Sequence, residues 1–199
     1  MAAETTASKT DYYRALYEVA RTVNSTLSLP QVLDRVVEST ARALAAKGCL
    51  LRLLDPMSGR LEFSAAYGLS SEYLGKGPVE VGKSGIDAEA LAGRPVTVSL
   101  TEDDSRLQYP EEVRREGIAS VLVVPVTVKG TAIGVLRVYA AEPREFDPEE
   151  VRFVESIAHL GGIAIENARV YEALEQQLAA IRRNLIPWAE NFSKPRWRD

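Results

Sequence analysis

The sequence is poor in the residues that build disulfides, metal sites and redox centres. Its 199 residues include one cysteine, Cys49, and one histidine, His159. A single cysteine excludes an intramolecular disulfide framework and a cysteine-based zinc cluster, and an isolated histidine cannot form a metal site by itself. We therefore expect no metal or other cofactor, and a reducing compartment, the cytoplasm, suits this composition best.

A surplus of positive charge and a long apolar segment are also missing. Lys and Arg total 24 against 28 Asp and Glu, so the formal net charge is −4 and no basic surplus can neutralise phosphates. No apolar run reaches the roughly 18 residues of a membrane-spanning helix. Residues 1–10 lack the basic stretch and apolar core of a signal peptide. We predict no nucleic-acid partner and no membrane insertion.

What remains is the composition of one globular domain with extensions. Hydrophobic residues make up 46% of the chain and charged residues 26%, which is enough for one core but little for two full-sized domains. We divide the chain into a flexible lead over residues 1–10, a domain over residues 11–175, and a C-terminal helical extension and tail over residues 176–199.

Helical patterns lie near both ends of the chain. Apolar residues recur at spacings of three and four over residues 13–27, and again over residues 33–44 after an N-cap signature at Ser28. A long helix begins near Asp147 and meets no breaker before Pro187. These patterns predict two N-terminal helices and one long C-terminal helix.

The middle of the chain has extended patterns. Residues 49–54 and 61–67 flank a turn and predict one hairpin, and residues 119–128 and 131–140 predict a second, central hairpin. Between the hairpins, residues 68–94 are rich in Gly and Ser and carry only short apolar groups. Such a stretch is typical of short helices that lie over a sheet.

Four local strings, in this order, resemble the GAF domain family. They are Ser64-Ala-Ala-Tyr-Gly-Leu-Ser70, Ser120-Val-Leu-Val-Val-Pro-Val126, Ile133-Gly-Val-Leu-Arg-Val-Tyr139 and Ala164-Ile-Glu-Asn-Ala168. The resemblance covers roughly residues 12–175. It implies an α+β fold, an antiparallel sheet with the terminal helices on one face and short helices over a ligand pocket on the other. Because this fold hosts many functions, the resemblance does not name the ligand.

The residues that serve the known GAF chemistries are missing here. Bilin-binding members use a pocket cysteine, whereas Cys49 opens a strand, where cysteine usually acts as a small hydrophobe. Members that reduce free methionine sulfoxide need several cysteines for attack and resolution. Cyclic-nucleotide binders have an Asn-Lys pair where this sequence has Tyr139 and Ala140. We predict that the protein is not an enzyme, and we disfavour a cyclic nucleotide.

Two arginines, Arg52 and Arg137, interrupt otherwise apolar strands. Arg137 shares a strand face with Tyr139, and the family's strand order would bring Arg52 beside it. Buried guanidinium groups need an acid or an anionic ligand, and their forks suit carboxylate or phosphate. We predict a site for a small anionic ligand anchored by these three residues. The remaining predicted wall residues, which fit a filled core equally well, are Tyr67, Tyr73, Ile86, Val96, Val121 and Val123.

Internal neutralisation of the arginines is the alternative. Acids such as Glu62 or Glu166 could pair with them, or the side chains could reach solvent. Two functions therefore stay open. One is a small-molecule sensor in intracellular signal transduction. The other is a ligand-free dimerisation or adaptor module that recruits a protein signalling partner.

Matching stripes on the first and last helices predict a homodimer. The stripe of the last helix keeps a three-four alternation over four heptads, as in a coiled coil, and a polar residue such as Asn167 in it typically fixes the register. Packing of the last helix on the first within one chain is the alternative. The predicted seam consists of Leu16, Val23, Asn167, Tyr171, Leu174 and Leu178.

The tail after Pro187 interleaves aromatic and basic residues. Trp188, Phe192 and Trp197 lie near Lys194 and two arginines. This pattern is typical of a segment that docks on protein, because its charges are too few for nucleic acid.

Overall fold

The computed structural model describes residues 9–24, 28–100 and 106–192, apart from the side chains of residues 182 and 184–192. Leu27 of the first predicted stripe and the aromatic side chains of the tail therefore lie outside the described residues. The helices are α1 (Lys9–Val23), α2 (Leu29–Ala43), α3 (Ser71–Leu74), α4 (Gly85–Leu91), α5 (Pro110–Arg115) and α6 (Pro148–Phe192). The strands are β1 (Gly48–Asp55), β2 (Arg60–Tyr67), β3 (Val79–Glu80), β4 (Val96–Ser99), β5 (Ser120–Val128) and β6 (Thr131–Ala140).

The strands form one antiparallel six-stranded sheet in the order β3-β2-β1-β6-β5-β4. Lys129 (φ 49°) and Gly130 (φ 79°) join the central strands β5 and β6. A two-residue turn with both φ angles positive matches the twist of the strands it connects. Strand β1 lies beside β6, as the predicted fold requires. The predicted α+β class and antiparallel sheet are confirmed.

The two faces of the sheet carry different helices. Helix α2 packs on β1, β2 and β6, and Tyr12 of α1 stacks on Phe153 in the first part of α6 with ring centroids 4.6 Å apart. On the opposite face α4 packs on β5 and β6. Side chains from α3, α4 and α5 join this second face in one buried cluster. This short-helix face is the one on which the resemblance predicts a ligand site.

Helix α1 differs from its sequence prediction at its start and on its buried face. It begins at Lys9, inside the segment predicted as a flexible lead. Its buried residues are Ala15 and Val19, whereas Tyr13 of the predicted stripe is 71% exposed. The helix thus packs through one narrow face, and the described residues of its predicted stripe are exposed or only partly buried.

A close helix-sheet approach occurs at Gly162. A Cβ atom there would lie 2.2 Å from the carbonyl oxygen of Thr127 in β5, which is far inside contact distance. At Gly161 the nearest atom to an added Cβ is 3.9 Å away, on Val36 of α2. Of these two adjacent glycines, only Gly162 is required for the close approach of the helix to the sheet.

The long helix α6 crosses from one compact unit of the chain into another. The first unit ends at Ala164, and residues from Ile165 onward form the second. In the described part of the second unit, the exposed large hydrophobic side chains are Val170, Tyr171, Leu174, Leu178 and Ile181. No helix among the described residues is long and apolar enough to cross a membrane. The predicted division of the chain at residue 175 stays a prediction.

Candidate functional site

Arg52 and Arg137 lie on the short-helix face of two neighbouring strands. In the register of β1 and β6, Leu50 is opposite Arg137 and Arg52 is opposite Val135, so the two arginines are diagonal neighbours. Both are buried, with 1% and 4% exposure. The predicted juxtaposition of two buried guanidinium groups is therefore present, and each must find partners locally.

The partner of Arg137 is Asp87, from the first turn of α4. Arg137 Nε donates to Asp87 Oδ1 at 2.9 Å and Nη2 donates to Oδ2, which makes a bidentate pair. Nη2 also lies 3.5 Å from the buried Ser84 Oγ. Burial alone lowers the pKa of Arg137, but the Asp87 carboxylate and two tyrosines reverse this shift, so the net pKa is raised. Arg137 is thus neutralised internally, by Asp87 rather than by Glu62 or Glu166.

Arg52 has no acidic partner among the described residues. Its Nη1 donates to the carbonyl of Leu61 at 2.9 Å and its Nη2 to the carbonyl of Gly77 at 3.1 Å. Its Nε is buried without an acceptor. Burial lowers the pKa of Arg52, Tyr139 partly opposes that shift, and Arg137 adds to it. Among the described residues, only neutral carbonyls accept hydrogen bonds from this guanidinium.

Two buried tyrosines stand beside these arginines. The rings of Tyr73 (α3) and Tyr139 (β6) meet edge to face with centroids 5.8 Å apart. The two hydroxyls are near enough for Tyr139 to act as a weak hydrogen-bond partner that affects the ionisation of Tyr73, yet neither has a partner of good hydrogen-bond geometry among the described residues. Burial first, and then Tyr139, raises the pKa of Tyr73 well above 10.0. A buried hydroxyl without a partner costs about 1–3 kcal/mol.

Lys76 is a third cationic side chain in the cluster. It is half-buried, and its Nζ lies 3.2 Å from the ring centroid of Tyr73 and 5.6 Å from that of Tyr109. An aromatic face favours the ammonium by about 0.5–2 kcal/mol. Burial, followed by repulsion from Arg137 and Arg52, acts more strongly in the other direction and lowers the pKa of Lys76 to about 6.

The predicted wall residues divide between the two faces of the sheet. Tyr67 lies on the terminal-helix face, opposite Cys49 in the register, and the guanidinium of Arg42 in α2 sits 5.4 Å from its ring centroid. Its assignment to the ligand site is therefore wrong. The other wall residues belong to the buried cluster on the short-helix face; they are Tyr73, Ile86, Val96, Val121 and Val123.

A β-bulge explains the position of Tyr67. The register of β1 and β2 pairs Leu51 with Ala65 but Arg52 with Phe63, so Ser64 is an extra residue on β2. An extra residue reverses the alternation of faces beyond it. Leu61 accordingly joins the short-helix cluster, whereas Tyr67, an even number of residues away, points to the opposite face.

The sequence did not identify Asp87, Lys76 and Gly77 as site residues. Asp87 could be read as an ordinary acid in a first helical turn, and Lys76 and Gly77 lie in a segment with no periodic pattern. The only usable signal was the pair of strand arginines, because two buried cations require compensation from somewhere.

Metal ligands and a reactive thiol are not part of this arrangement. Within residues 9–24, 28–100 and 106–192, no three His, Cys, Asp or Glu side chains cluster in a way that could hold a metal ion. Cys49 is buried on the terminal-helix face, and burial raises the pKa of its thiol well above the ordinary value. A buried neutral thiol is a poor nucleophile.

The family assignment follows from comparison with known proteins. The model of the GAF domain matches residues 26–166, which contain the whole sheet and both arginines. The chain belongs to the GAF domain family.

Curated relatives of this GAF domain include regulatory and sensor proteins. It is 28% identical over 182 residues to a Nif-specific regulatory protein of Herbaspirillum seropedicae, covering 85% of this chain and 32% of that protein. It is 27% identical over 163 residues to a methyl sulfide methyltransferase-associated sensor of Methanosarcina acetivorans, covering 79% of this chain and 16% of that protein. The chain thus spans about a third or less of the length of these two relatives.

Solved structures share the fold. The GAF domain of a phosphoenolpyruvate-protein phosphotransferase from Coxiella burnetii superposes with a TM-score of 0.72 at 25% identity, covering 83% of this chain and 99% of that one. The free methionine-R-sulfoxide reductase of Neisseria meningitidis gives 0.69 at 19% identity, covering 85% and 98%. Because a reductase shares this fold, the prediction that this GAF domain is not an enzyme rests on its single cysteine.

Proposed function

We propose that this GAF domain is a sensor module in signal transduction that binds a small anion, such as a carboxylate, on its short-helix face. We name the proposed binding residues Arg52, Tyr73, Lys76 and Tyr139 the anion site. The observation that carries the proposal is Arg52, a buried guanidinium with an unpartnered Nε and no acidic partner among the described residues. The names of the curated relatives, a regulatory protein and a sensor, support the regulatory role.

The anion site has more donors than acceptors. Arg52 Nε is a donor only, and the hydroxyls of Tyr73 and Tyr139 can each donate. The site also has an excess of positively charged groups, because the Asp87 carboxylate is already paired with Arg137. An oxyanion supplies both the missing acceptors and the missing negative charge, and charge-assisted hydrogen bonds of this kind are the strong ones.

The proposed roles of the two arginines are different. Arg137 is held by the Asp87 carboxylate and by Ser84, so it orients α4 against the sheet. Arg52 is the proposed anchor for the anion. The apolar wall residues, such as Ile86 and Val123, are fully buried in the same cluster, which favours a ligand of few atoms over an extended one.

Tyr139→Phe tests this proposal. The variant removes one buried hydroxyl that has no partner, so we expect the ligand-free protein to become more stable by about 1 kcal/mol. If the anion site is real, the same variant loses most of the thermal stabilisation that sulfate, oxalate or acetate gives the parent. Native mass spectrometry of the purified protein checks independently for a retained anion.

Tyr17→Phe is the matched control, because Tyr17 is 64% exposed on α1. It should change neither stability nor the response to anions. If no anion stabilises the parent more than Tyr139→Phe, the sensor proposal fails and the filled-core adaptor module takes its place.

A second proposed function is homodimerisation through the terminal helices. In the second unit, Tyr171, Leu174 and Leu178 are 63%, 51% and 49% exposed and follow heptad spacing. In the first unit, Leu16 lines a surface groove of about 290 Å³ formed by α1 and the start of α6. Val23 of α1 is also partly exposed, and Asn167 is exposed. The occupant we propose for these faces is a second copy of the chain.

A further inference from the structure

The position of Lys76 is unusual for a lysine. It follows α3, and its Nζ lies over the face of Tyr73, 3.2 Å from the ring centroid. Among the described residues no carboxylate lies within 4.0 Å of that nitrogen, whereas the exposed Lys83 pairs with Glu80 at 3.1 Å. The chain segment after Lys76 is fixed, because Arg52 donates to the Gly77 carbonyl and Tyr109 donates to that of Pro78.

Among the described residues, charged and titratable groups from each neighbouring element face either Lys76 or the Tyr73 ring beneath it. They are Arg52 of β1, Tyr73 of α3, Asp87 of α4, Tyr109 before α5, Glu112 of α5, and Arg137 and Tyr139 of β6. The two arginines oppose a charge on the lysine, whereas Asp87 and Glu112 favour one and are outweighed. The amine is therefore mostly neutral at pH 7 while the anion site is empty, since its pKa is lowered to about 6.

We propose that Lys76 takes up a proton when the anion site receives its ligand, so that anion and proton bind together. This inference rests on the proposed function and deepens it. An anion beside Arg52 offsets the repulsion that the two arginines exert on the amine, and it adds an attraction of its own. The ammonium then becomes a further donor to the anion, held in place by the Tyr73 ring.

Thermodynamic linkage gives the sign of the effect. Below about pH 6 the free protein already carries the proton, so anion affinity is independent of pH there. Above that pH each anion must bring a proton, and affinity falls by up to about tenfold per pH unit. A ligand that arrives in slightly acidic conditions is thus bound more tightly than the same ligand in alkaline conditions.

Titration calorimetry with sulfate and with oxalate tests the inference, because neither probe titrates between pH 6.5 and about 8.5. We would compare Tris and imidazole buffers, which differ in ionisation enthalpy, at a constant chloride concentration. The expected result is an uptake close to one proton per anion at pH 7.5. Affinity should drop several-fold between pH 6.5 and about 8.

Two variants of Lys76 and one control separate the possible causes. Lys76→Arg keeps a permanent charge, so it should bind the anions with no proton uptake and little dependence on pH. Lys76→Met should bind them more weakly, also without proton uptake. Lys83→Met, at an exposed lysine of the same region, should behave as the parent does.

The outcomes distinguish this inference from the proposed function. Anion binding without proton uptake in the parent overturns the role of Lys76 and leaves the anion site intact. Proton uptake that persists in Lys76→Met or Lys76→Arg also overturns it, since another group then takes the proton. If neither probe binds at any pH, the anion site itself is wrong and the inference falls with it.

Discussion

At the scale of single residues, the energetics of buried charge dominate this domain. Arg137 and Asp87 are 4% and 0% exposed, and they meet as a bidentate pair with both charges removed from water. Coulombic attraction in such a site roughly balances the cost of dehydrating both ions. The pair therefore adds little net stability. Removal of one member, however, leaves the other charge buried without a partner and strongly destabilises the fold.

Asp87→Asn should consequently destabilise the protein by about 3–5 kcal/mol, because it leaves the Arg137 guanidinium buried without a counter-charge. Urea unfolding followed by circular dichroism measures this loss. The double variant Asp87→Leu with Arg137→Met should recover much of it. Glu38→Gln, which breaks partly exposed pairs with Arg35 and Arg42 on the surface of α2, is the control and should cost less than about 1 kcal/mol. Equal losses in the two single variants would contradict the argument.

Lys76 makes stability depend on pH in a defined direction. Its pKa falls from 10.5 in the unfolded chain to about 6 in the folded one, so between these values the unfolded chain binds more protons. The free energy of unfolding then rises with pH across this window. Below about pH 6 the folded protein holds Lys76 in its charged form, so the full destabilisation is present there. Lys76→Met should be more stable than the parent near pH 6, on the order of 1–2 kcal/mol after solvent screening.

Melting temperatures between pH 6 and about 9 check this expectation, with Lys83→Met as the reference. The difference in melting temperature between Lys76→Met and the parent should close as the pH rises, because the folded parent then holds Lys76 as a neutral amine. A gap that stays constant with pH would assign the stabilisation to apolar packing by methionine instead.

The sequence identifies a site residue only where that residue type is unusual in its local pattern. Arg52 and Arg137 stand out because charge inside an apolar strand is costly wherever the strand packs. Asp87 and Lys76 have ordinary surroundings in the sequence, and only the fold brings them to the arginines. The anchoring role proposed for Arg137 was also incomplete, since its partner lies 50 residues away along the chain.

At the scale of elements, the helix-sheet contact at Gly162 fixes the position of α6. Gly162→Ala should be strongly destabilising, by about 2–4 kcal/mol, because its Cβ would lie 2.2 Å from the Thr127 carbonyl oxygen and rigid backbone must move. Gly161→Ala, one residue earlier on the same helix, should be neutral or stabilising by up to about 1 kcal/mol through helix propensity. Chemical denaturation of the two variants, side by side with the parent, measures both changes in the free energy of unfolding. Similar effects at both positions would mean that the helix can shift away from β5.

The elements themselves were predictable where local chemistry is strong. The Lys129-Gly130 turn and the apolar runs beside it identify the central hairpin, and Ser28 with Gln31 marks the start of α2, where Ser28 N donates to Gln31 Oε1 at 3.0 Å. The bulge at Ser64 has no comparable signal, because an extra residue in a strand is set by its neighbours. For that reason the face of Tyr67 was predicted wrongly although its strand was predicted correctly.

At the scale of the whole molecule, the order of elements together with four local strings predicted the GAF fold, whereas assembly depends on surfaces that one chain leaves exposed. The seam positions Tyr171, Leu174 and Leu178 are about half exposed or more in an isolated chain. Apolar residues at heptad positions lose this exposure when two helices pair, and burying each large side chain stabilises by about 1.5–3 kcal/mol. A monomer that exposed this stripe would have an unusually large apolar patch for a soluble protein.

We therefore expect the chain to sediment as a dimer that dissociates on dilution, and Leu174→Glu to shift it to a monomer at concentrations where the parent is dimeric. A glutamate at a central seam position places a charge in the contact of each helix pair, which costs more than the leucine contributed. Gln176→Glu adds the same charge two residues away, off the seam, and should leave the association unchanged. Sedimentation velocity over a range of concentrations measures all three proteins. A parent that is monomeric throughout, or a Gln176→Glu variant as weakened as Leu174→Glu, would remove the coiled-coil seam as the basis of assembly, because only a heptad contact distinguishes these neighbouring positions on one helix.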